Sequence, residues 1–146
     1  MATEQEQRNK ALILQTQDEV WNKGNLNIIN QNVASEFVDH PTRRAWEVPS
    51  QGRDAMAQAV TMLRTAFPNY HSEPMQVVAE DDRVTILMRL TGTQSGPLFN
   101  FPATGKSFSV TEISEFRLAN GKIVERWGLI DMVGMMMQLG LVPGGH

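Results

Sequence analysis

The chain has 146 residues, of which 41% are apolar and 20% are charged, and its net charge is −3. This length and composition are typical of one globular domain, so we treat 1–146 as a single domain. The lysines and arginines are scattered singly, which leaves no basic stripe that could bind a row of phosphates. We therefore expect no nucleic-acid partner.

The chain contains no cysteine, which excludes disulfides and thiolate metal sites, and its three histidines argue against a multi-histidine metal centre. We expect neither a metal nor a cofactor. The polar N-terminus over 1–10 does not have the features of a secretory signal, and no apolar run approaches the roughly twenty residues that span a bilayer. We therefore expect a cytoplasmic protein without a membrane partner.

The first half of the chain is predicted to be mainly helical. Its apolar residues recur at helical spacing among good helix formers, and Gly24, Pro41 and Pro68 mark positions where elements stop. Asn25 is a suitable N-cap for a short second helix. The predicted elements are a helix over 3–21, a helix over 26–31, a strand over 36–40, an ordered loop over 41–52 and a helix over 53–66.

The second half of the chain alternates apolar and polar residues, which is typical of strands. Asn120-Gly121 is a strong hairpin signal, because a type I′ turn needs positive φ at both central positions. The order of elements predicts an α+β fold with helices packed against one face of a curved antiparallel sheet. The predicted strands cover 70–79, 83–93, 106–118 and 122–131, and a last helix covers 132–139 before a loose tail at 143–145.

The two-residue turn also predicts which residues face each other in the last hairpin. In this register Trp127 lies opposite Ser114, and Asp131 falls on the same face as Glu112. The two carboxylates are then near neighbours at one end of a mostly apolar face. Burial and a nearby like charge both favour the neutral form of a carboxyl group, so the pair is a candidate general acid or base.

Each of these residues also has a plain structural explanation. Asp131 occupies the N-cap position of the last predicted helix, where aspartate is a preferred residue. His40 ends a strand before Pro41, so it satisfies a backbone group or reaches into a pocket. The methionines at 132 and 135–137 are typical of a core, although flexible methionines also suit a lid over an apolar ligand. The residues alone leave these alternatives open.

Six segments of the chain are informative in their order and spacing. They are VWNKG at 20–24, FVDHP at 37–41, VAEDDRV at 78–84, LTGTQSG at 90–96, FPATGK at 101–106 and FRLANGKIVERWGLID at 116–131. Taken together, they resemble the SnoaL-like polyketide cyclases, and the resemblance covers nearly the whole chain. Asp131 matches the pocket aspartate of that family through the Trp-x-x-x-Asp pattern that begins at Trp127. Many relatives have a histidine where this chain has Gln94.

The resemblance implies a cone-shaped α+β barrel, the fold shared with nuclear transport factor 2, ketosteroid isomerase and limonene epoxide hydrolase. Such proteins are usually dimeric through the outer face of the sheet, so we expect a homodimer. In characterised cyclases the pocket aspartate acts as general acid/base in an intramolecular aldol condensation that closes a polyketide ring, without metal or cofactor. The expected partner is a hydrophobic small-molecule substrate.

Our leading hypothesis is an acid/base cyclase, lyase or isomerase in which Asp131 removes a proton from a hydrophobic ketone, while Glu112 or His40 stabilises the enolate oxygen. The alternative is a non-catalytic protein that binds an apolar small molecule. A third hypothesis, epoxide hydrolysis, needs an Asp-Arg-Asp arrangement around a water, and Arg89 is predicted to lie on the wrong face. The side chains predicted to line the substrate pocket are Trp127, Ser114, Phe116, Met88, Met135 and Trp21.

Overall fold

The structure is a computed structural model that describes residues 1–41 and 50–142. Most of the predicted loop over 41–52, and all of the predicted tail over 143–145, lie outside the described residues. The helices are α1 (Glu4–Thr16), α2 (Asn27–Asn32), α3 (Gly52–Ala66) and α4 (Met132–Gln138), and a π-helical segment, Gln17–Asn22, continues α1. The strands are β1 (Val33–His40), β2 (Ser50–Gln51), β3 (His71–Glu80), β4 (Arg83–Thr93), β5 (Ser107–Ala119) and β6 (Lys122–Ile130).

The described strands form one curved sheet in the order β2-β1-β6-β5-β4-β3. Neighbouring strands are antiparallel, except that β1 and β6 are parallel. The concave face buries every second residue of β4, including Val84, Ile86 and Leu90, against the helices. The predicted α+β fold, with helices packed on the concave face of a curved sheet, is confirmed. None of the described helices is long and apolar enough to cross a membrane.

The start of each of the first two helices depends on different groups. Thr3 and Glu6 form a capping box at α1: the Thr3 hydroxyl accepts from the Glu6 N–H at 3.1 Å, and the Glu6 carboxylate accepts from the Thr3 N–H at 2.8 Å. The prediction that Asn25 caps the second helix is wrong. That helix starts after Leu26 without a side-chain cap, and Asn25 contributes its backbone carbonyl, which accepts from Ile28 N–H.

The last hairpin contains the feature that decides which residues face the cone. Asn120 and Gly121 have φ of 54° and 75°, as the predicted turn requires, and Leu118 pairs with Ile123 in the predicted register. Beyond that pair the register shifts, and Arg117 pairs with Glu125, so Val124 is an extra residue in β6. A β-bulge of this kind turns every following side chain to the other face of the sheet. The predicted cross-strand pairs and the predicted faces of the β6 residues that follow Val124 are therefore wrong.

Candidate functional site

Because of the bulge, the side chain of Arg126 points into the cone. Its Nη1 donates to both carboxylate oxygens of Asp39, at 3.0 and 3.1 Å. Its Nη2 donates to Glu112 Oε1 at 2.9 Å and to Ser114 Oγ at 3.1 Å. Only 20% of the Arg126 side chain and 14% of the Glu112 side chain are exposed. We call these four residues the Arg126 cluster.

Gly128 provides the space that the guanidinium group of Arg126 occupies. The two residues lie on the same face of β6, and a Cβ atom at position 128 would lie 2.2 Å from Arg126 Nη2 and 2.4 Å from Arg126 Cζ. Any side chain at this position would displace the head of Arg126 from Asp39 and Glu112. A glycine within a strand often marks such a close approach.

The charges of the cluster determine the protonation of its cation. Burial alone lowers the pKa of Arg126, but the negative charges of Glu112 and Asp39 outweigh that effect and raise the pKa above its ordinary value. Arg126 therefore remains a cation inside the cone. A buried guanidinium with two carboxylate partners exerts a strong electric field on any ligand beside it, because water screens the charges poorly there.

The Arg126 cluster lies where three connected chambers meet, and Trp21 and Arg126 line all three. The largest, which we call the outer chamber, has a volume of about 350 Å³. The inner chamber has about 110 Å³, and a small side chamber has about 50 Å³. The residues that line the outer chamber are Trp21, Asp39, His40, Pro41, Ser50, Ala59, Met62, Phe99, Glu112, Arg126, Gly128, Ile130 and Met132.

The π-helical segment carries Gln17 and Trp21 to these chambers. Trp21 and Asn22 end this segment, where helix carbonyls have no partner within the helix, and here Arg64 Nη1 donates to both carbonyls at 3.1 and 2.6 Å. The Asn22 side chain in turn accepts from Ser72 N–H at 2.7 Å. These bonds fix the end of the helix against α3 and β3, and so fix the position of Trp21 in the wall.

Several residues predicted from the sequence do meet at the cleft. Glu112, His40 and Trp21 line the outer chamber, Phe116 lines the side chamber, and Met135 lines the inner chamber. Ser114 is buried and bonds to both Arg126 and Glu112. Met88 is buried on the same concave face, but it packs in the core and lines none of the three chambers.

Trp127 lies on the outer face of the sheet, contrary to the prediction that it faces the pocket. It pairs with Glu115 across β5, and its ring stacks on the ring of His40, with centroids 4.7 Å apart and 8° between the planes. The guanidinium of Arg83 lies 5.0 Å from its centroid. The physical reason is the bulge at Val124, which exchanges the faces of Arg126 and Trp127.

His40 connects the mouth of the cleft to this outer face. Its Nε2 lies 2.7 Å from Glu125 Oε2, and the residue also lines the outer chamber. Arg117 also bonds to Glu125, and these two contacts, first Arg117 and then His40, lower the pKa of Glu125. The Glu125 carboxylate therefore stays ionised and holds the imidazole in place.

Asp131 is the N-cap of α4. Its Oδ1 accepts from Gly134 N–H at 2.8 Å, and its side chain is exposed. Its neighbours in the chain, Ile130 and Met132, both line the outer chamber, whereas Asp131 itself lines none of the three chambers. The prediction that Asp131 and Glu112 form a pair is wrong, because Glu112 bonds to Arg126 and Ser114 instead.

Gln94, the position where many relatives have histidine, lies away from the cleft. It is fully buried, donates from Nε2 to Pro102 O at 3.2 Å and accepts at Oε1 from Thr104 at 2.8 Å. Its amide group therefore holds the loop between β4 and β5.

Sequence reasoning missed Arg126, Asp39, Gln17 and Tyr70, all of which line the chambers. The sequence signal for Arg126 is Gly128, since a glycine two positions later in the same strand is consistent with a large side chain that needs space. Asp39 precedes His40 in β1, so the two side chains are expected on opposite faces of the strand. No feature of the sequence marks the bulge itself. Within 1–41 and 50–142, no three His, Asp or Glu side chains are grouped so that they could hold a metal ion.

A cone of curved sheet and helices with a charged cluster deep in its cleft defines a small-molecule pocket of the α+β class. The profile of the SnoaL-like polyketide cyclase family matches residues 11–139, and the chain belongs to this family. Aklanonic acid methyl ester cyclase of Streptomyces peucetius is 30% identical over 123 residues, which is 84% of each chain.

Solved structures share the fold of this chain. A protein of Jannaschia sp. CCS1 assigned to the SnoaL-like polyketide cyclases superimposes with a TM-score of 0.88 at 23% identity, over 98% of this chain and 99% of the other. AclR of Streptomyces galilaeus, assigned as a hydroxylase, has a TM-score of 0.81 at 28% identity, over 94% of this chain and 84% of the other. The first of these likenesses supports the fold alone.

Proposed function

We propose that this protein is a cyclase-type enzyme that closes a ring in a hydrophobic polyketide ester by acid/base catalysis. The observation that carries the proposal is the Arg126 cluster, a cation held between two carboxylates inside a largely apolar cleft. A homologue is described as a cyclase of a polyketide methyl ester, and we extend that substrate class to this chain.

The proposed reaction is an intramolecular aldol condensation. Asp131 turns from its hydrogen bond with Gly134 N–H toward the outer chamber, which its neighbours Ile130 and Met132 line, and its carboxylate accepts a proton from a carbon next to a carbonyl group. The resulting enolate carbon forms a bond to a second carbonyl carbon of the same molecule, whose oxygen takes a proton and becomes a hydroxyl group. No atom is gained or lost, so substrate and product have the same mass.

Arg126 supplies the electrostatic part of this mechanism. Negative charge moves from the base to the enolate oxygen, and a fixed cation inside the cone stabilises that charge more than water would. Glu112 and Asp39 hold the guanidinium in one orientation, so Glu112 acts as a positioning residue. His40 also lines the outer chamber, with its Nε2 bonded to Glu125.

The decisive experiment uses substitutions that separate the two roles of Asp131. Asn and Ser are both good N-caps, so Asp131→Asn and Asp131→Ser retain the helix cap while they remove the base. We expect both variants to unfold like the wild type but to lose turnover of aklanonic acid methyl ester by at least 100-fold, the usual contribution of general base catalysis. Ring closure is followed as a product of unchanged mass that separates by chromatography.

Glu112→Gln and Arg126→Met complete the set. If Asp131→Asn retains full turnover and Glu112→Gln abolishes it, the base is Glu112 and our assignment of Asp131 is wrong. If the wild type binds polyketide esters but closes no ring in any of them, the protein is a binder of apolar small molecules and the proposed enzyme function fails.

Epoxide hydrolysis is a second candidate, and one observation favours it. The prediction dismissed this reaction because Arg89 lies on the outer face, yet Arg126 stands between Asp39 and Glu112 in the required carboxylate–guanidinium–carboxylate order. Incubation with an apolar epoxide in ¹⁸O-labelled water tests it: incorporation of one labelled oxygen into a diol product supports hydrolysis, and unchanged epoxide excludes it.

We also propose that two copies associate through the outer face of the sheet. Leu87, Ile113 and Leu129 are direct cross-strand neighbours there, and 45% of Ile113 and 51% of Leu129 are exposed. Such a row of apolar side chains is a typical association surface. Light scattering should give twice the monomer mass, and Ile113→Glu with Leu129→Arg should give a monomer. A wild-type monomer would contradict the proposal.

A further inference from the structure

Two buried polar side chains of the inner chamber have no partner in the described chain. Tyr70 is 6% exposed and Gln17 is 7% exposed, and both line the chamber beside Arg126. Neither the Tyr70 hydroxyl nor the Gln17 amide makes a hydrogen bond with any part of the protein described here. Their polar atoms are open to the chamber, since Asn9 Nδ2 is the one fully enclosed side-chain polar atom without a partner among the described residues. Both groups are therefore available to a ligand in the chamber.

The backbone of both residues is fixed by structure outside the chamber. Gln17 begins the π-helical segment, whose far end is anchored by Arg64. Tyr70 N–H donates to the carbonyl of Phe67 at 2.9 Å, directly before β3 begins. Only the rotation of the two side chains therefore has to be ordered when a ligand binds, which reduces the entropic cost of binding.

Tyr70 remains a hydrogen-bond donor at every physiological pH. Burial raises the pKa of its hydroxyl group far above the ordinary value, the charge of Glu112 adds to this effect, and Arg126 opposes it only partly. The Gln17 amide is a donor at any pH. The inner chamber thus combines two neutral donors with apolar walls from Leu63, Leu90 and Ile130.

We propose that Tyr70 and Gln17 form a subsite that binds the carbonyl oxygen of a ketone seated in the inner chamber. Both donors line the same chamber, and its volume of about 110 Å³ is of the size that one ring or a short acyl group fills. The idea deepens the proposed function, since the same oxygen would carry the enolate charge, but ketone binding does not depend on turnover.

The test compares two ligands of the same shape. Cyclohexanone has a carbonyl oxygen where methylenecyclohexane has a CH₂ group, so only the first can accept hydrogen bonds. Carbonyl-¹³C cyclohexanone is titrated by NMR, where hydrogen bonding moves the carbonyl resonance downfield. We expect the wild type to prefer the ketone by about tenfold and to shift its resonance downfield, as one or two buried hydrogen bonds would do.

Tyr70→Phe and Gln17→Met should each reduce this preference and the downfield shift. Because neither polar group has a protein partner to lose, the melting temperature of the unliganded variant should be unchanged or higher. The matched control is Gln7→Met on the exposed side of α1, which should change neither quantity. A lowered melting temperature with an unaltered ketone resonance would mean that the groups are structural, and the proposal would be wrong.

A parallel measurement on Asp131→Asn separates this proposal from the proposed function. Loss of turnover in that variant with retained ketone preference supports both. Ketone preference that depends on Tyr70 and Gln17 in a protein that closes no ring supports the subsite and contradicts the cyclase function. Turnover that depends on Asp131 but tolerates both Tyr70→Phe and Gln17→Met, with unchanged ketone binding, overturns the subsite alone.

Discussion

Gly128→Ala is the most direct test of how the site is built. In an ordinary strand this change would stabilise the protein by about 0.5–1 kcal/mol, because alanine loses less conformational freedom on folding. Here the new Cβ would lie 2.2 to 2.8 Å from three atoms of the Arg126 guanidinium. The guanidinium must leave Asp39 and Glu112, and breaking a buried ion pair in this way costs about 3–5 kcal/mol.

We therefore expect Gly128→Ala to lower the free energy of unfolding by about 3 kcal/mol, measured by urea denaturation with a two-state analysis. A double-mutant cycle identifies the cause. In an Arg126→Ala background there is no guanidinium to displace, so adding Gly128→Ala should stabilise the protein by about 0.5–1 kcal/mol, and the coupling energy should be about 3.5–4 kcal/mol. Equal costs in both backgrounds would refute the steric explanation.

Three further predictions concern single groups. Asp131→Ala should lower the free energy of unfolding by about 1 kcal/mol through loss of the helix cap, whereas Asp131→Asn should not; equal losses in chemical denaturation would show that the cap is unimportant. Tyr70 is the one tyrosine of the chain, so phenolate absorbance reports on it alone. Because the pKa of Tyr70 is raised in the folded protein, the folded state keeps the phenolic proton above pH about 10, where the unfolded chain loses it. The free energy of unfolding should therefore fall as the pH rises above about 10, and phenolate absorbance should appear only when the protein unfolds. The pKa of Glu125 is lower in the folded protein than in the unfolded chain, so its ionised carboxylate stabilises the fold at pH values above the unfolded pKa. This stabilisation is lost as the pH falls through the folded pKa. Glu125→Gln should therefore make the free energy of unfolding depend less on pH in the acid range, and an unchanged dependence would contradict this.

The fold could be predicted because its signals are local. Helical spacing located α1 and α3. The Asn120-Gly121 signal located the turn of the last hairpin, and the strand pairing next to the turn follows the predicted register. The π-helical end of α1 had no such signal, because it depends on Arg64, forty-odd residues away in the sequence, which binds the carbonyls of Trp21 and Asn22. Long-range partners of this kind are not visible in a sequence pattern.

The site could be predicted only in part, for a related reason. Residues of β5, such as Glu112 and Ser114, come before the bulge in the chain, and simple alternation assigned them to the correct face. Residues that follow Val124 were assigned to the wrong face, because alternation carries an error of one residue to every later position. Asp39 was missed because its neighbour His40 is the more familiar catalytic residue, although Asp39 is the one that bonds to Arg126.

The bulge determines the chemistry of the cleft as well as its geometry. In the predicted register Trp127 would fill the cone and Arg126 would lie on the outer face, leaving Glu112 inside without a cation. With Val124 inserted, the ring moves outward to stack on His40, and the guanidinium moves inward to Glu112. Burying the carboxylate of Glu112 is costly unless it is paired, so the bulge and Gly128 are both needed before an acid can reside in this pocket. A single extra residue in β6 thus converts an apolar cavity into one that can stabilise a developing negative charge.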